Sequence, residues 1–138
     1  MGVCQTTLFF PTSGPGLYEI TGEAAEFLRE AKVADGLLTV FVRHTSCSLV
    51  IQENADPDVK TDLDGFFRKL VPEGMDWLLH TTEGPDDMPA HIKAALTQSS
   101  ISIPVTGGRM MLGTWQGIFL FEHRHRPHRR EVVVQLTW

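Results

Sequence analysis

From Ile101 to Trp138 the sequence holds strand patterns and turn signals but no helical period, which excludes a fold that follows every strand with a helix. Ile101, Ile103 and Val105 alternate with other residues, Gly107-Gly108 supplies a tight turn, and Arg109–Leu112 returns. Ile118–Arg124 and Glu131–Trp138 read as a second hairpin, closed by the Arg/His-rich stretch between them. Nearer the N-terminus, Val3–Phe10 and Leu17–Ile20 read as short strands split by the turn PTSGPG. Leu37–His44 is a further strand, in which Leu38, Val40, Val42 and His44 share one face, and Ser48–Gln52 continues extended.

Three segments carry the 3.6-residue period instead. Thr21 can cap a helix through about Lys32, with Ala24, Phe27, Leu28 and Ala31 on one side. Asp56-Pro57 is a helix start, a capping carboxylate followed by Pro at the first helical position. Val59, Leu63, Phe66 and Leu70 then recur at helical spacing, and Gly65 weakens that helix by about 1 kcal/mol relative to Ala. Asp87 and Pro89 open a third helix over 88–98, with His91 in its first turn, after the polar loop HTTEGPDD. The expectation is an α+β fold: a compact, mostly antiparallel β-sandwich with about three helices.

No repeat or linker divides the 138 residues, so residues 1–138 are expected to form a single domain. A chain of this size hides roughly two-thirds of its unfolded surface and needs no disulfide or metal staple. Cys4 and Cys47 belong to no CxxC pair and read as reduced core thiols, which points to a cytoplasmic protein. No apolar run approaches the ~20 residues of a membrane span, and no signal peptide is evident. The net charge of −5, from 12 basic and 17 acidic side chains, argues against a general nucleic-acid binder. The charge is unevenly spread: EHRHRPHRRE at 122–131 packs four Arg and three His into ten positions. A cationic patch on an acidic protein suits a small anion, and a solvated hairpin tip accounts for it equally well.

Three of the six histidines stand where an element meets a loop: His44 ends a strand, His80 precedes the acidic loop, and His91 lies near a helix start. Imidazoles gathered from separate elements can hold a catalytic Zn²⁺ and leave one position open, although each alone suits a satisfied structural residue. In Glu83-Gly84-Pro85-Asp86-Asp87 the paired acids can hold Mg²⁺ through water and phosphate oxygens, or simply complement the dipole of the helix that follows. Asp87 is the expected cap and Asp86 the freer carboxylate. Gly113-Thr114-Trp115-Gln116-Gly117 suggests a bulge or a close backbone approach, with Trp115 free to stack on a heteroaromatic ring and Gln116 to read its edge. Core filling explains Trp115 as well. Ser46 or Cys47 beside His44 makes a poor nucleophile–base pair, since adjacent strand residues point to opposite faces and no orienting acid is near.

Several blocks, in order, resemble the YjbQ-like family, often labelled secondary thiamine-phosphate synthase. They are HTSCSL at 44–49, NADP at 54–57, EGPDDMPAHIK at 83–93, GTWQG at 113–117 and EHR at 122–124. The similarity runs from about residue 3 to the end. It departs at Cys47, where Ala is common, at HRPHRR after Arg124, which replaces a Gly-rich turn, and at the Leu-Thr-Trp tail. The resemblance implies a compact α+β homotrimer with a weak, secondary activity that joins a pyrimidine diphosphate to a thiazole phosphate and releases pyrophosphate.

By carry-over, His44, His80 and His91 would share a pocket and a divalent metal (Zn or Mg), with Asp86 beside them. His44, Glu122 and His123 would be the catalytic groups. Ser46, Asn54, Asp86, Thr114, Trp115, Gln116, Arg124 and Arg129 would bind the phosphorylated small-molecule ligand, with Thr114–Gln116 as the pocket floor. No nucleic-acid or membrane partner is implied. A diphosphate leaving group needs cations where charge develops, which Arg124, the Arg129/Arg130 pair and a metal at Asp86 can supply. The residues alone also admit a metal-dependent hydrolase or lyase with a His-ligated Zn²⁺, or a trimeric binding protein without catalysis.

Overall fold

The computed structural model describes residues 1–138. The chain runs β1 (Val3–Thr12), β2 (Gly16–Glu19), α1 (Thr21–Ala31), β3 (Gly36–Val42), β4 (Cys47–Glu53), α2 (Pro57–Leu70), α3 (Asp87–Leu96), β5 (Ser100–Thr106), β6 (Arg109–Met110), β7 (Gln116–Glu122) and β8 (His128–Thr137). It is an α+β fold of antiparallel sheets with three helices, as the periodicities imply. One sheet has the order β1-β8-β3-β5-β6 and the other β2-β7-β4.

Strand alternation decides which face of each sheet is dry. In the larger sheet Val132, Val134 and Leu136 lie opposite Val42, Val40 and Leu38, which sit in turn beside Ile101 and Ile103. These residues join Ile118 and Leu120 of β7, Cys47 and Leu49 of β4, and Ala24 and Leu28 of α1 in one buried cluster. Each large aliphatic side chain so buried contributes roughly 1.5–3 kcal/mol. β7 is buried on its other face too. Phe121 meets Phe67 of α2 edge-on at 5.3 Å between centroids, and the Lys60 amine stands 6.0 Å from the Phe119 ring. The layers are therefore five-stranded sheet, core, three-stranded sheet, and then α2 with α3. No helix is long and apolar enough to cross a membrane.

Three local expectations are corrected. β7 and β8 do not form a hairpin; they belong to different sheets, and residues 123–127 carry the chain across the core's end. The reason is compositional: β7 is apolar on both faces and suits a strand covered on both sides, whereas β8 alternates and suits a sheet with one open face. Thr21 does not cap α1. Its hydroxyl donates to Glu19 Oε2 at 2.8 Å and accepts from Ile118 N at 2.9 Å, tying helix to sheet. Asp87 caps nothing either, and Asp86, which does occupy the cap position of α3, makes no capping bond. Asp56 behaves as expected: its Oδ1 accepts from Asp58 N at 2.9 Å.

Candidate functional site

The entry to α3 gathers the groups with chemical potential. Asp87 and His91 are four residues apart on one helix and so share a face. His80, half-exposed on the preceding loop, reaches the same carboxylate: Asp87 Oδ2 lies 2.7 Å from His80 Nε2 and 3.1 Å from His91 Nε2. The three ligand atoms are all within 4.8 Å of one another. On its far side, His91 Nδ1 is 2.8 Å from the carbonyl oxygen of Thr45. A carbonyl only accepts, so Nδ1 carries the hydrogen, and in the neutral ring Nε2 turns a lone pair on the Asp87 carboxylate. Two electron-rich atoms at 3.1 Å call for a cation between them, either a proton or a metal ion. Two imidazoles and a carboxylate, one imidazole anchored to a backbone carbonyl, make a donor set suited to a transition-series dication.

Arg124 holds this arrangement from behind. Its Nε donates to Asp86 Oδ2 at 3.0 Å, one terminal nitrogen to Asp87 Oδ1 at 2.5 Å and the other to the Glu83 carbonyl at 3.0 Å. Asp86 Oδ2 also accepts from His125 N at 2.9 Å. Burial pushes the Asp86 carboxyl up, but the bonds from His125 N and Arg124 outweigh it and leave its pKa below the usual range. Asp87 is likewise pushed up by burial and brought down further by His80, His91 and Arg124. Both are carboxylates at neutral pH.

Two larger depressions flank the cluster, besides one of about 270 Å³ that His80 lines together with Met75, Leu78 and Met88. One, about 600 Å³, is lined wholly by polar residues and glycine: Thr82, Glu83, Gly84, Arg124, Arg126 and His128. The other, about 370 Å³, is shared by His91 and His44 and walled by Thr45, Cys47, Ala94, Ala95 and Ser99.

The remaining expected site residues fall in four places. His44 borders the smaller depression, but its Nε2 accepts from Glu131 N at 2.7 Å, and the place expected for it beside His80 and His91 is taken by Asp87. Burial, followed by the charge of Arg130, lowers its pKa and suits it to that acceptor role. Glu122, His123 and Ser46 are interior groups with their bonds made. Glu122, 0 % exposed, accepts from Thr12, from Arg130 twice, and from the backbone N–H groups of His123 and Arg124. His123 Nε2 is 3.0 Å from Ser48 Oγ, and its ring lies 4.4 Å from that of Phe121. Ser46 accepts from Arg130 through both its hydroxyl and its carbonyl. Glu122 and Ser46 thus join the two sheets through Arg130, and His123 ties the end of β7 to β4 within the smaller one.

Asn54, Thr114, Trp115 and Gln116 form no floor beneath the cluster. β4 pairs with β7 so that Cys47 faces Glu122 and Glu53 faces Gln116, which puts these residues at the opposite end of the sheet, roughly 20 Å away at strand rise. There Asn54 donates to Glu19 at 3.0 Å, Gln116 accepts from Gly113 N at 2.8 Å, and Trp115 is exposed. A Cβ at Gly117 would lie 2.6 Å from Glu19 Oε2 and push that carboxylate aside. Arg129 lays its guanidinium on the Phe9 ring at 3.8 Å. Two working residues have parts other than those expected of them. The Asp-x-x-x-His spacing of Asp87 and His91 signals a shared helix face, and Arg130 has the parity of Val132 and Val134, which turns it inward.

A two-sheet α+β domain with a surface His₂Asp cluster braced by a buried arginine is the class these observations define. The sequence profile described as "UPF0047 protein YjbQ-like" matches residues 6–138, and the chain belongs to that family. A UPF0047 protein of Synechocystis sp. is 55% identical over 133 residues, covering 96% of this chain and 90% of that one. The UPF0047 protein YjbQ of Escherichia coli O157:H7 is 40% identical, covering 96% of each. Among solved structures, a YjbQ/UPF0047-family protein of Clostridium acetobutylicum superposes with a TM-score of 0.88 at 36% identity, covering 96% of this chain and 99% of that one. A conserved hypothetical protein of Thermus thermophilus gives 0.87 at 37%, with the same coverages.

Proposed function

We propose that the protein is a zinc-dependent enzyme of hydrolase or lyase type, with His80, Asp87 and His91 as the metal ligands. The observation that carries this reading is the bond from His91 Nδ1 to the Thr45 carbonyl, which leaves Nε2 as a lone pair aimed at Asp87. Two imidazoles favour zinc over Mg²⁺, which prefers an all-oxygen shell. Three protein ligands leave a fourth position, and such an ion supplies Lewis acidity and acidifies water. The chain's own residues do the rest. Thr45 fixes the His91 ring, and Arg124 occupies Asp87 Oδ1 so that Oδ2 faces the cluster. His80, on the exposed side, lets a substrate approach.

Elemental analysis and zinc titration of the purified protein test the reading. One zinc per chain is expected, with Asp87→Asn and His91→Asn each abolishing tight binding. Protein that takes up no stoichiometric zinc at neutral pH would sink it.

A second reading is the transferase that the family resemblance implies, joining a pyrimidine diphosphate to a thiazole phosphate in a homotrimer. The observation favouring it is that the basic segment from Arg124 to Arg130 starts at the cluster, through the Arg124–Asp87 pair. Pyrophosphate release from the two substrates, dependent on added divalent metal, is its assay.

A further inference from the structure

Of the depressions at the cluster, the one of about 270 Å³ has an apolar lining. His80 forms part of its wall, with Met75, Leu78, Met88, Pro85 and Pro89 around it, and no Lys, Arg, Asp or Glu borders it. Chain order puts it there. Met88 and Pro89 follow Asp87 in the first turn of α3, and Met75 and Leu78 stand just ahead of His80. The connection between α2 and α3 bends at Gly74 (φ +78°) and Gly84 (φ +107°), a backbone that favours glycine, and Leu78 N donates to Met75 O at 3.3 Å. Met75, Leu78 and Met88 are each only half-buried, so the chain leaves the apolar surface of this hollow uncovered. Trp77 and Leu79, on either side of Leu78 and exposed at 68 and 97 %, continue that surface along the same segment.

We propose that this hollow is an apolar subsite of the metal centre: it takes an uncharged hydrocarbon group of the substrate, the size of a phenyl ring, joined to the group that the metal polarises. This inference rests on the metal-dependent reading above and deepens it by naming the substrate's chemical class. Because His80 is both metal ligand and wall, a group seated in the hollow begins one side chain from the ion. Three half-buried apolar side chains favour a hydrocarbon that displaces water from them. An anion would give up its own water there with no cation to replace it, which sets this class apart from the phosphorylated ligand that the resemblance implies. The size follows from the volume: a cavity of about 150 Å³ suffices for one benzene ring, so 270 Å³ admits a ring and its link to the metal. Two unbranched thioethers, Met75 and Met88, can adapt to the outline of a ring and make favourable contact with its edge.

Calorimetry on zinc-loaded, full-length protein with hydroxamates that differ in their tails decides it. Benzohydroxamate is expected to bind roughly tenfold or more tighter than acetohydroxamate, because its ring buries more apolar surface. Succinic monohydroxamate, whose tail ends in a carboxylate, should gain nothing over acetohydroxamate. Leu78→Asn and Met88→Gln should each remove most of the ring's advantage and leave acetohydroxamate unchanged. Met111→Gln, at an exposed methionine beyond β6, should change neither. Equal affinities in the parent protein overturn the subsite, as does an advantage that survives both substitutions. Methyl NMR of the methionines in chelator-stripped protein separates this inference from the metal reading. Benzamide is expected to shift the Met75 and Met88 signals and to leave those of Met1, Met110 and Met111 in place. Such shifts without zinc uptake would retain the apolar subsite and remove the metal centre, and zinc uptake without a preference for the ring would do the reverse.

Discussion

Arg130, on the larger sheet, grips Glu122, on the smaller one, side-on: Nε donates to Oε1 at 2.7 Å and a terminal nitrogen to Oε2 at 2.5 Å, with both side chains shut from water. Thr12 adds a third element to the same carboxylate. Burial pushes the Glu122 carboxyl up, but the bonds from Arg130 and Thr12 outweigh it and keep its pKa below the usual range. The pair closes the end of the core where β7 hands the chain across to β8.

Arg130→Met is therefore expected to destabilise the fold by about 3–5 kcal/mol, because it strands a buried carboxylate. Replacing both partners, Arg130→Met with Glu122→Met, should recover much of that loss, since the desolvation of both charges is removed. Urea unfolding of the three proteins measures it. A single variant costing under about 1 kcal/mol would show that the clamp is not what joins the sheets there.

A pH dependence follows from His123. Burial, reinforced by the charge of Lys93, drives its pKa down from 6.5 to about 3. Between those values the unfolded chain binds a proton that the folded chain refuses, so stability falls as the pH drops from about 6.5 toward 3. One such proton gives a slope of up to about 1.4 kcal/mol per pH unit. His44, also lowered, adds in the same direction. Glu122 contributes its stability above the ordinary carboxylate pKa and begins to lose it only in stronger acid. Chemical denaturation at about pH 7, 6 and 5 should show a progressive loss, flattened in His123→Asn. Equal stability at all three values would mean that His123 accepts a proton in place.

Much of the fold could be read from alternation. Leu38, Val40 and Val42, then Ile101, Ile103 and Val105, each expose a period of two, and one dry face per strand follows directly. Asp56-Pro57 likewise marks α2 locally. What escaped depended on partners distant in sequence. Treating β7 and β8 as a hairpin assumes that neighbours in sequence pair, whereas β7 is claimed by β2 and β4. Asp87 looks like a cap because its role is set by Arg124, 37 residues on, and by His80 across a loop. His44 has the strand parity expected of an inward residue, yet at that end its ring meets the Glu131 amide. The GTWQG block carries no signal of which sheet end it occupies; only the β4–β7 register places it.

The outer face of the larger sheet bears Val3, Phe9, Leu37 and Phe41, exposed at 59, 44, 41 and 43 %, with Val133 of β8 among them. Phe119 and Phe121, whose strand has the two apolar faces that suggest subunit contacts, are buried within one chain and unavailable. If the protein assembles as the homotrimer that the resemblance implies, this outer face is the surface to bury. Sedimentation equilibrium is expected to give a trimer of the 15.4 kDa chain, and Phe41→Asp to shift it toward monomer. A monomer for the unaltered protein at micromolar concentration refutes the assembly.

Arg124→Lys separates a ligand contact from a brace. A residue that gripped a substrate anion could change to Lys with little effect on stability and a weaker ligand. The observed Arg124 makes three donations, to Asp86, Asp87 and the Glu83 carbonyl, and is itself buried. A lysine ammonium is a point charge and cannot span those three acceptors from one position. At least one charged hydrogen bond is lost and a buried carboxylate oxygen left short of a donor, a cost of about 1.5–3 kcal/mol. The same loss frees Asp87 to rotate, and outer contacts of this kind are worth roughly 10–100-fold in metal affinity. Arg124→Lys is thus expected to lower stability and weaken zinc together. Paired urea and zinc titrations read the two effects, and calorimetry with pyrophosphate shows whether an anion contact is lost as well. Unchanged stability with weakened pyrophosphate binding would return Arg124 to the role of an anion contact.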